Sequence, residues 1–497
     1  MKLLGIDIGT GGTRAVVIDG EGRVIGAATA EHANFTSPQL GWAEQDPENW
    51  WAAAARAIPE CLAQANTDAS ELSGIGLTGQ MHGLVVLDNE NRVLRPAIIW
   101  CDQRTEVECR EITEEVGAKR LIELTANPAL TVFTLPKILW MQKHEAELWS
   151  RVRTILLPKD YVRLRLTGAR ASDVADASGT LLFDVAHRQW SGPMLEAAKS
   201  NLDQLPKVFE GPQITGHLSE EGARACGLCV GTPVVAGAGD QAAGAVGMGI
   251  VKPGAVSVTI GTSGVVFAAT DSPFRDERGR IHTFCHAIPN CWHVMGVTQA
   301  AGLSLKWFRE QFTGKGGTST VSYDQLMQEA ARVPAGAEGL LWAPYLMGER
   351  TPHLNPNARG ALVGLSASHT RAHVIRAILE GVAFSLRDCL SIFSELHIPV
   401  TSIRLGGGGA RSPLWCQIQA DIFGQEVSVL QTEEGPAFGA ALLAGVGVGA
   451  WPSVQHACDA CVHTARRYEP DAECVAAMNN QYARYERLYP LLQDIAH

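Results

Sequence analysis

Two apolar runs near the start of the chain, residues 3–8 and 15–18, flank a stretch made almost wholly of Gly and Thr, Gly9-Thr10-Gly11-Gly12-Thr13. The pattern predicts a β-hairpin whose turn has little side-chain bulk and several free backbone N–H groups. It returns half a chain later. Val256-Ser257-Val258-Thr259-Ile260 leads into Gly261-Thr262-Ser263-Gly264, and Val265 to Ala268 leads out. A unit repeated at that separation predicts two duplicated lobes facing each other.

Between and after the hairpins the periodicity alternates between strand and helix. Asp46-Pro47 predicts a helix start, cap then first-turn proline, with Trp50, Trp51, Ala54, Ala55 and Ile58 on its buried face. Pro59 should kink or end that helix. Residues 75–88 read as strand, a loop carrying Gln80 and His82, and a second strand; residues 97–104 repeat the arrangement. The middle of the first lobe, around Pro158-Lys159-Asp160-Tyr161 and Ser172 to Asp176, mixes both signals and reads as an insertion shaping a small-ligand pocket. Residues 233–247 give an apolar strand, glycines, the single acid Asp240 and a small-residue helix.

In the second lobe, residues 300–307 open a helix in which Gly302 allows close approach of a flat group. A polar loop, residues 344–353, precedes a long helix from about Arg371 with Ile375, Ile378, Leu379, Val382, Leu386 and Phe393 inward. Residues 403–412 give a strand, four glycines and a helix start. Near the C-terminus Val475, Met478, Tyr482, Tyr485 and Tyr489 share one helical face until Pro490.

Composition narrows the class. At 497 residues the chain can hold two or three domains, and its net charge of −11 argues against nucleic acid or anionic membrane as main partner. The best membrane candidate, residues 435–451 after Glu433 and Glu434, holds five glycines and Pro436, so a buried helix is expected instead. The N-terminus lacks the apolar core of a signal peptide, and the twelve cysteines read as reduced thiols, which together point to the cytoplasm. Cys226/Cys229 and Cys458/Cys461 are too far apart for a zinc ribbon, and His282-Thr283-Phe284-Cys285-His286 reads as packing before metal.

The chemistry sits in the turns. Backbone N–H groups of a Gly-rich turn can donate to phosphate oxygens. Asp7 at the lip of the first turn then needs a cation between itself and those phosphates. Asp240, alone in an apolar strand-to-helix turn, is costly to desolvate, and its pKa should rise toward that of a general base. Two phosphate turns across one cleft describe a nucleotide triphosphate site, hence a two-lobed phosphotransferase or an actin-like ATPase that uses nucleotide as a switch.

The order Gly-Ile-Asp-x-Gly-Thr, Gly-Gln-Met-His-Gly, Gly-x-Gly-Asp-Gln-Ala-Ala-Gly, Gly-Thr-Ser-Gly, Gly-Glu-Arg-Thr-Pro-His and Gly-Gly-Gly-Ala-Arg-Ser resembles the FGGY family of carbohydrate kinases over nearly the whole chain. The resemblance implies an α/β fold of two actin-like (ribonuclease H-like) lobes, each a mixed sheet flanked by helices, with the active site in the cleft between them. It places the lobes at 1–247 and 254–445 and a helical tail at 446–497. It implies ATP with Mg²⁺, a ketopentose acceptor, no nucleic acid or membrane partner, and is compatible with a homodimer. D-xylulose, as in xylose catabolism, is the expected acceptor, with L-ribulose, L-fuculose, gluconate and glycerol as alternatives. Carried over residue by residue, Asp240 is the base and Asp7 assists, both reaching Mg²⁺ through water. Met81, His82, Asp240 and Gln241 touch the sugar. Thr10, Gly11, Gly12, Thr13, Gly261, Thr262, Gly302, Gly408 and Gly409 line the nucleotide. Where glycerol kinases place an adenine-contacting Asn, this chain has Pro413.

Overall fold

A computed structural model of the chain describes residues 1–314, 321–432 and 434–493. In the first lobe, β1 (Lys2–Ile8) and β2 (Gly12–Ile18) form the predicted hairpin, followed by β3 (Val24–Glu31). β4 (Leu72–Gly79), β5 (Ile214–His217), β6 (Pro233–Val235) and β7 (Ala238–Gly239) complete a mixed sheet in the order β5-β6-β4-β1-β2-β3, with β7 added beside the end of β4. Its helices include α1 (Pro47–Gln64), α2 (Thr134–His144), α3 (Pro158–Thr167), α4 (Val174–Ser178) and α5 (Asp240–Gly247). α1 starts as expected, with the Asp46 carboxylate capping the Glu48 N–H and Pro47 in the first turn. Pro59 does not end it. The proline lies on the exposed side, and the helix runs on to Gln64 because its inner face stays packed.

The second lobe repeats the plan. β8 (Gly254–Ile260) and β9 (Gly264–Thr270) are its hairpin, joined by β10 (His282–Cys285) and β11 (Trp292–Thr298). Helices α6 (Gly302–Phe312), α7 (Tyr323–Ala330) and α8 (Arg371–Glu395) follow, and α8 buries the apolar face read from its sequence. Then come β12 (Val400–Gly407), α9 (Pro413–Phe423), β13 (Val427–Leu430), α10 (Gly435–Gly447), α11 (Val454–Cys461), β14 (Thr464–Tyr468) and α12 (Ala472–Tyr485). The sheet order is β10-β11-β9-β8-β12-β13-β14. In both lobes the hairpin's first strand is antiparallel to its second and parallel to the next strand inward, β4 or β12.

The tail holds more than helices: β14 pairs antiparallel with β13 at the edge of the second sheet. Pro490 sits inside a short helical turn, Leu488–Leu492, rather than closing α12. Glu433 and residues 494–497 lie outside the described residues. Among the described residues no helix is long and apolar enough to cross a membrane. α10 is instead buried at the junction of the lobes.

Backbone proximity explains its composition. Gly5 and Gly76 are cross-strand neighbours on β1 and β4, and a Cβ at either would fall within 2 Å of a carbonyl oxygen of α10, Ala437 at 1.8 Å and Ala440 at 1.9 Å. On the other side, a Cβ at Gly439 would lie 1.8 Å from the Ala243 carbonyl oxygen of α5. The late helix α10 therefore lies directly on the first sheet and couples the lobes. Gly439→Ala is expected to lower stability by at least the ~1–3 kcal/mol typical of overpacking, since backbone atoms are the obstacle. Thermal unfolding checks this, with Gly192→Ala as the neutral control because open space surrounds that position.

Candidate active site

Sheet register brings the two acids together. β1, β4 and β7 run parallel, with Asp7 beside Thr78 and Thr78 beside Ala238, then Ile8, Gly79 and Gly239 in the next row. Asp240 follows directly, so both carboxylates stand at the C-terminal ends of parallel strands, where open α/β sheets place ligands. Asp240 is the first residue of α5, one place inside the capping position, which Gly239 holds. The Gln241 side chain and backbone hydrogen-bond to its carboxylate. Burial pushes Asp240 up to about 6. Asp7 is pushed up to about 7 by burial and by the neighbouring Asp240 charge, against the pull of Arg14 across the hairpin. One Asp7 oxygen, Oδ1, is buried without a hydrogen-bond partner among the described residues.

The first Gly-Thr turn is braced from outside its own strands. Gln45 Nε2 donates to the Thr10 carbonyl at 2.7 Å, and Gln80 Nε2 donates to Gln45 Oε1 at 3.0 Å and the Gly9 carbonyl at 3.3 Å. Trp100 Nε1 donates to Thr10 Oγ1 at 2.9 Å. Gly11 faces open space. Thr13 departs from expectation: pleat alternation turns it away from the Asp7 face, and its buried hydroxyl pairs with His32 Nε2 at 2.8 Å.

On the second lobe, Gly261, Thr262, Gly302, Gly408 and Gly409 come together as expected, lining a cavity of about 690 Å³. The start of α6 lies against the hairpin turn, with the Gly302 N–H on the Gly261 carbonyl at 2.9 Å, and a Cβ at Gly302 would sit 2.4 Å from that oxygen. Pro413 lines the same cavity as the first residue of α9, capped by Ser412. The opposite wall, Tyr323, Asp324, Met327 and Gln328 of α7, carried no motif in the sequence.

The acceptor loop follows β4. Met81 is buried and packs on Gly239, next to Asp240. His82 has a left-handed backbone, φ +68°, and its Nδ1 donates to the Gly179 carbonyl at 2.8 Å, leaving Nε2 as an acceptor. Burial pushes its pKa down to about 3, so the ring is neutral. Its carbonyl is held by the Thr134 hydroxyl at 3.1 Å and the Lys137 ammonium at 3.3 Å. Beneath, Lys159 Nζ meets Asp160 and Asp173 at 2.7 Å and Asp176 at 3.0 Å, all fully buried. Asp176 lies in α4 and Gly179 caps the end of that helix, so this charge cluster anchors the short helix whose capping carbonyl orients His82. His282, Cys285 and His286 spend hydrogen bonds on Asn127, the Val185 carbonyl and the Ile250 carbonyl, and His282 packs on Phe133 and Phe284. Among the described residues no group of three His, Cys, Asp or Glu side chains could hold a metal by itself.

Two lobes, a backbone-lined turn on each, a nucleotide-sized cavity and a paired acid beside a buried polar loop define a phosphotransferase with an alcohol group as acceptor. Residues 2–247 match the FGGY family of carbohydrate kinases, N-terminal domain, and residues 256–448 its C-terminal domain. The chain is 38% identical to a xylulose kinase of Bacillus subtilis (strain 168), covering 99% of this chain and 97% of the relative. It is 40% identical to one of Escherichia coli (strain K12), covering 98% and 99%. The solved structure of a xyloylose kinase from Brucella ovis superposes with a TM-score of 0.92 at 36% identity over all of both chains. The protein belongs to the FGGY family of carbohydrate kinases.

Proposed function

We propose that this kinase transfers the γ-phosphoryl group of ATP to the 5-hydroxyl of D-xylulose, giving D-xylulose 5-phosphate and ADP. The observation that carries the reading is the packing of Met81 on Gly239, which sets the Met81–His82 loop against the residue preceding Asp240: a desolvated carboxylate follows Gly239, and a neutral imidazole with a nitrogen left to accept follows Met81. The similarity to xylulose kinases over essentially full length supports the same acceptor.

In this reading Asp240 accepts the proton of the 5-hydroxyl as that oxygen bonds to phosphorus and the bond from phosphorus to the β-phosphate bridging oxygen breaks. Gln241 holds the Asp240 carboxylate, Met81 walls the sugar toward Asp240, and His82 Nε2 accepts from a sugar hydroxyl. The turns at Thr10–Gly12 and Gly261–Thr262 present backbone donors to the phosphates, and Gly302, Gly408 and Gly409 let the adenosine lie close to the second lobe. Because the transition state is loose, alignment and charge neutralisation do most of the work. Mg²⁺ fits the acid pair: an orphaned Asp7 oxygen and two repelling carboxylates, outside any group of three ligating side chains among the described residues, suit an ion that keeps its water and takes nucleotide oxygens. When bound it would neutralise phosphate charge, held through water by Asp7 and Asp240. Twelve unpaired thiols suit a cytoplasmic setting.

The test is ADP release with ATP, Mg²⁺ and a panel of D-xylulose, L-ribulose, L-fuculose, gluconate and glycerol. D-xylulose is expected to give the highest kcat/KM; a strong preference for any other member overturns the assignment and leaves the fold and family standing.

A further inference from the structure

Near His82, a loop of the second lobe presents a guanidinium with no hydrogen-bond or ion-pair partner among the described residues, the only charge that favours it being that of the adjoining Glu349. Residues 349–351 are clipped to the end of β11. The Thr351 N–H donates to the Val297 carbonyl at 2.9 Å, and its hydroxyl accepts from the Val297 N–H at 3.0 Å and donates to the Arg280 carbonyl at 2.7 Å. Glu349 Oε1 accepts from the backbone N–H groups of Gln299 and Arg350, both at 2.8 Å. β10 pairs with β11 at His282 and Met295, two positions back from Val297, so Arg350 lies beside His282. His282 stacks on Phe284, which also packs on His82. The Arg350 charge accordingly lowers the proton affinity of both histidines, and burial disfavours its own charge against the pull of the adjoining Glu349. Its guanidinium has no hydrogen-bond or ion-pair partner among the described residues, and the residue stays partly exposed.

The two ends of the cleft answer to different cations: Arg14 acts on Asp7, and Arg350 with Lys137 on His82. Arg350 thus acts on the acceptor loop, its own segment being held at the end of β11, where Thr298 pairs with Gly264 of the second hairpin. The chemistry of the acceptor completes the argument. A 2-ketopentose closes its ring by attack of the 5-oxygen on C2, so a free 5-hydroxyl requires the open-chain form, in which the C2 carbonyl is exposed. A hydroxyketone offers one acceptor and one donor side by side. His82 Nε2 accepts, and a guanidinium only donates.

We propose that Arg350 is an acceptor-binding residue that reads the ketone, its guanidinium donating to the C2 carbonyl oxygen of the open-chain sugar while His82 accepts from the adjacent hydroxyl. The proposal rests on the ketose reading above. It explains why a desolvated guanidinium has no hydrogen-bond partner among the described residues, since the substrate supplies one.

The experiment compares wild type, Arg350→Met and Arg350→Lys on D-xylulose and on its two C2-reduced counterparts, xylitol and D-arabinitol. Acceptor-independent ATP hydrolysis, KM for ATP and thermal unfolding are measured alongside. Arg350→Met is expected to lower kcat/KM for D-xylulose about 10- to 100-fold, the worth of a charged hydrogen bond, mostly through KM. It should change the values for the polyols by less than about threefold, the scatter of a lost neutral contact. ATP hydrolysis, KM for ATP and unfolding should stay as in wild type, and Arg350→Lys should keep part of the discrimination. An equal loss on ketose and polyol, no loss on either, or a parallel fall in ATP hydrolysis overturns the proposal. If wild type turns over L-ribulose and not D-xylulose, the D-xylulose assignment falls and the same comparison is made on L-ribulose and its C2-reduced counterparts. If wild type prefers a polyol or gluconate to every ketose, both readings fall.

Discussion

Asp7→Ala is expected to lower kcat by about 10²–10³-fold at low Mg²⁺, the scale of losing one preorganised electrostatic contact in a desolvated site. Raising Mg²⁺ should restore part of that loss. The reason is the position of the carboxylate. One oxygen is buried with no hydrogen-bond partner among the described residues, the Asp240 charge repels it, and Arg14 across the hairpin pulls the other way. Such a group is poorly stabilised by the protein itself and well placed to hold a hydrated cation. The same substitution should stabilise the metal-free protein. The carboxyl shifts from 3.8 to about 7 on folding, so the native state binds more protons than the unfolded chain within that window. Stability from this group therefore falls as pH rises between the two values, and Asp7→Ala should flatten the slope. Turnover across a Mg²⁺ series, with thermal unfolding of the metal-free protein from pH 4 to 8, checks both halves. A loss of activity that ignores Mg²⁺, with lower stability at every pH, would mean that Asp7 only supports the hairpin.

What the sequence made legible were features encoded locally. A Gly-Thr turn between apolar runs needs no distant partner to form, and both hairpins stand where the pattern puts them. Asp240 stood out because an isolated acid in an apolar turn is conspicuous at the level of composition. Long-range braces were not legible. Gln45 and Trp100 reach the first turn from 35 and 90 residues away, and although Trp100 lies in the 97–104 strand–loop segment, nothing local ties either side chain to that turn. Lys137 carries no local signal in the sequence, yet its ammonium is buried on the His82 and Phe133 carbonyls. α7 carries no motif, and only the fold sets Asp324 and Gln328 against the cavity lined by Gly302, Gly408 and Gly409. The small-residue helix α10 was recognisable as buried, but its lying on the other lobe's sheet depends on Gly5 and Gly76, over 360 residues earlier. β14 escaped because an edge strand with Arg466 and Arg467 outward lacks apolar alternation, as edge strands that resist aggregation do.

Asp240→Asn is expected to remove nearly all sugar phosphorylation while leaving fold and nucleotide binding in place. The residue is not the cap of α5, since Gly239 holds that position, and an amide fits the same space. A structural role would therefore tolerate the change. An amide cannot take up a proton near neutral pH, and general-base catalysis is typically worth about 10²–10⁴-fold. The loss grows if the carboxylate also orients the 5-hydroxyl. Burial sets the wild-type group at about 6, so the base form fills as pH rises, and kcat/KM for D-xylulose should climb with pH through that region. The two acids titrate as a pair, so the apparent value belongs to both. Asp240→Asn should abolish this limb, and its residual rate should be flat with pH. The measurements are kcat and kcat/KM for D-xylulose from pH 5 to 8.5, with ATP affinity followed separately. A variant that keeps roughly a tenth or more of wild-type kcat, short of the loss a missing base produces, would show that Asp240 is not the base. A pH limb surviving in Asp240→Asn would move that role to Asp7, whose carboxyl burial also pushes up.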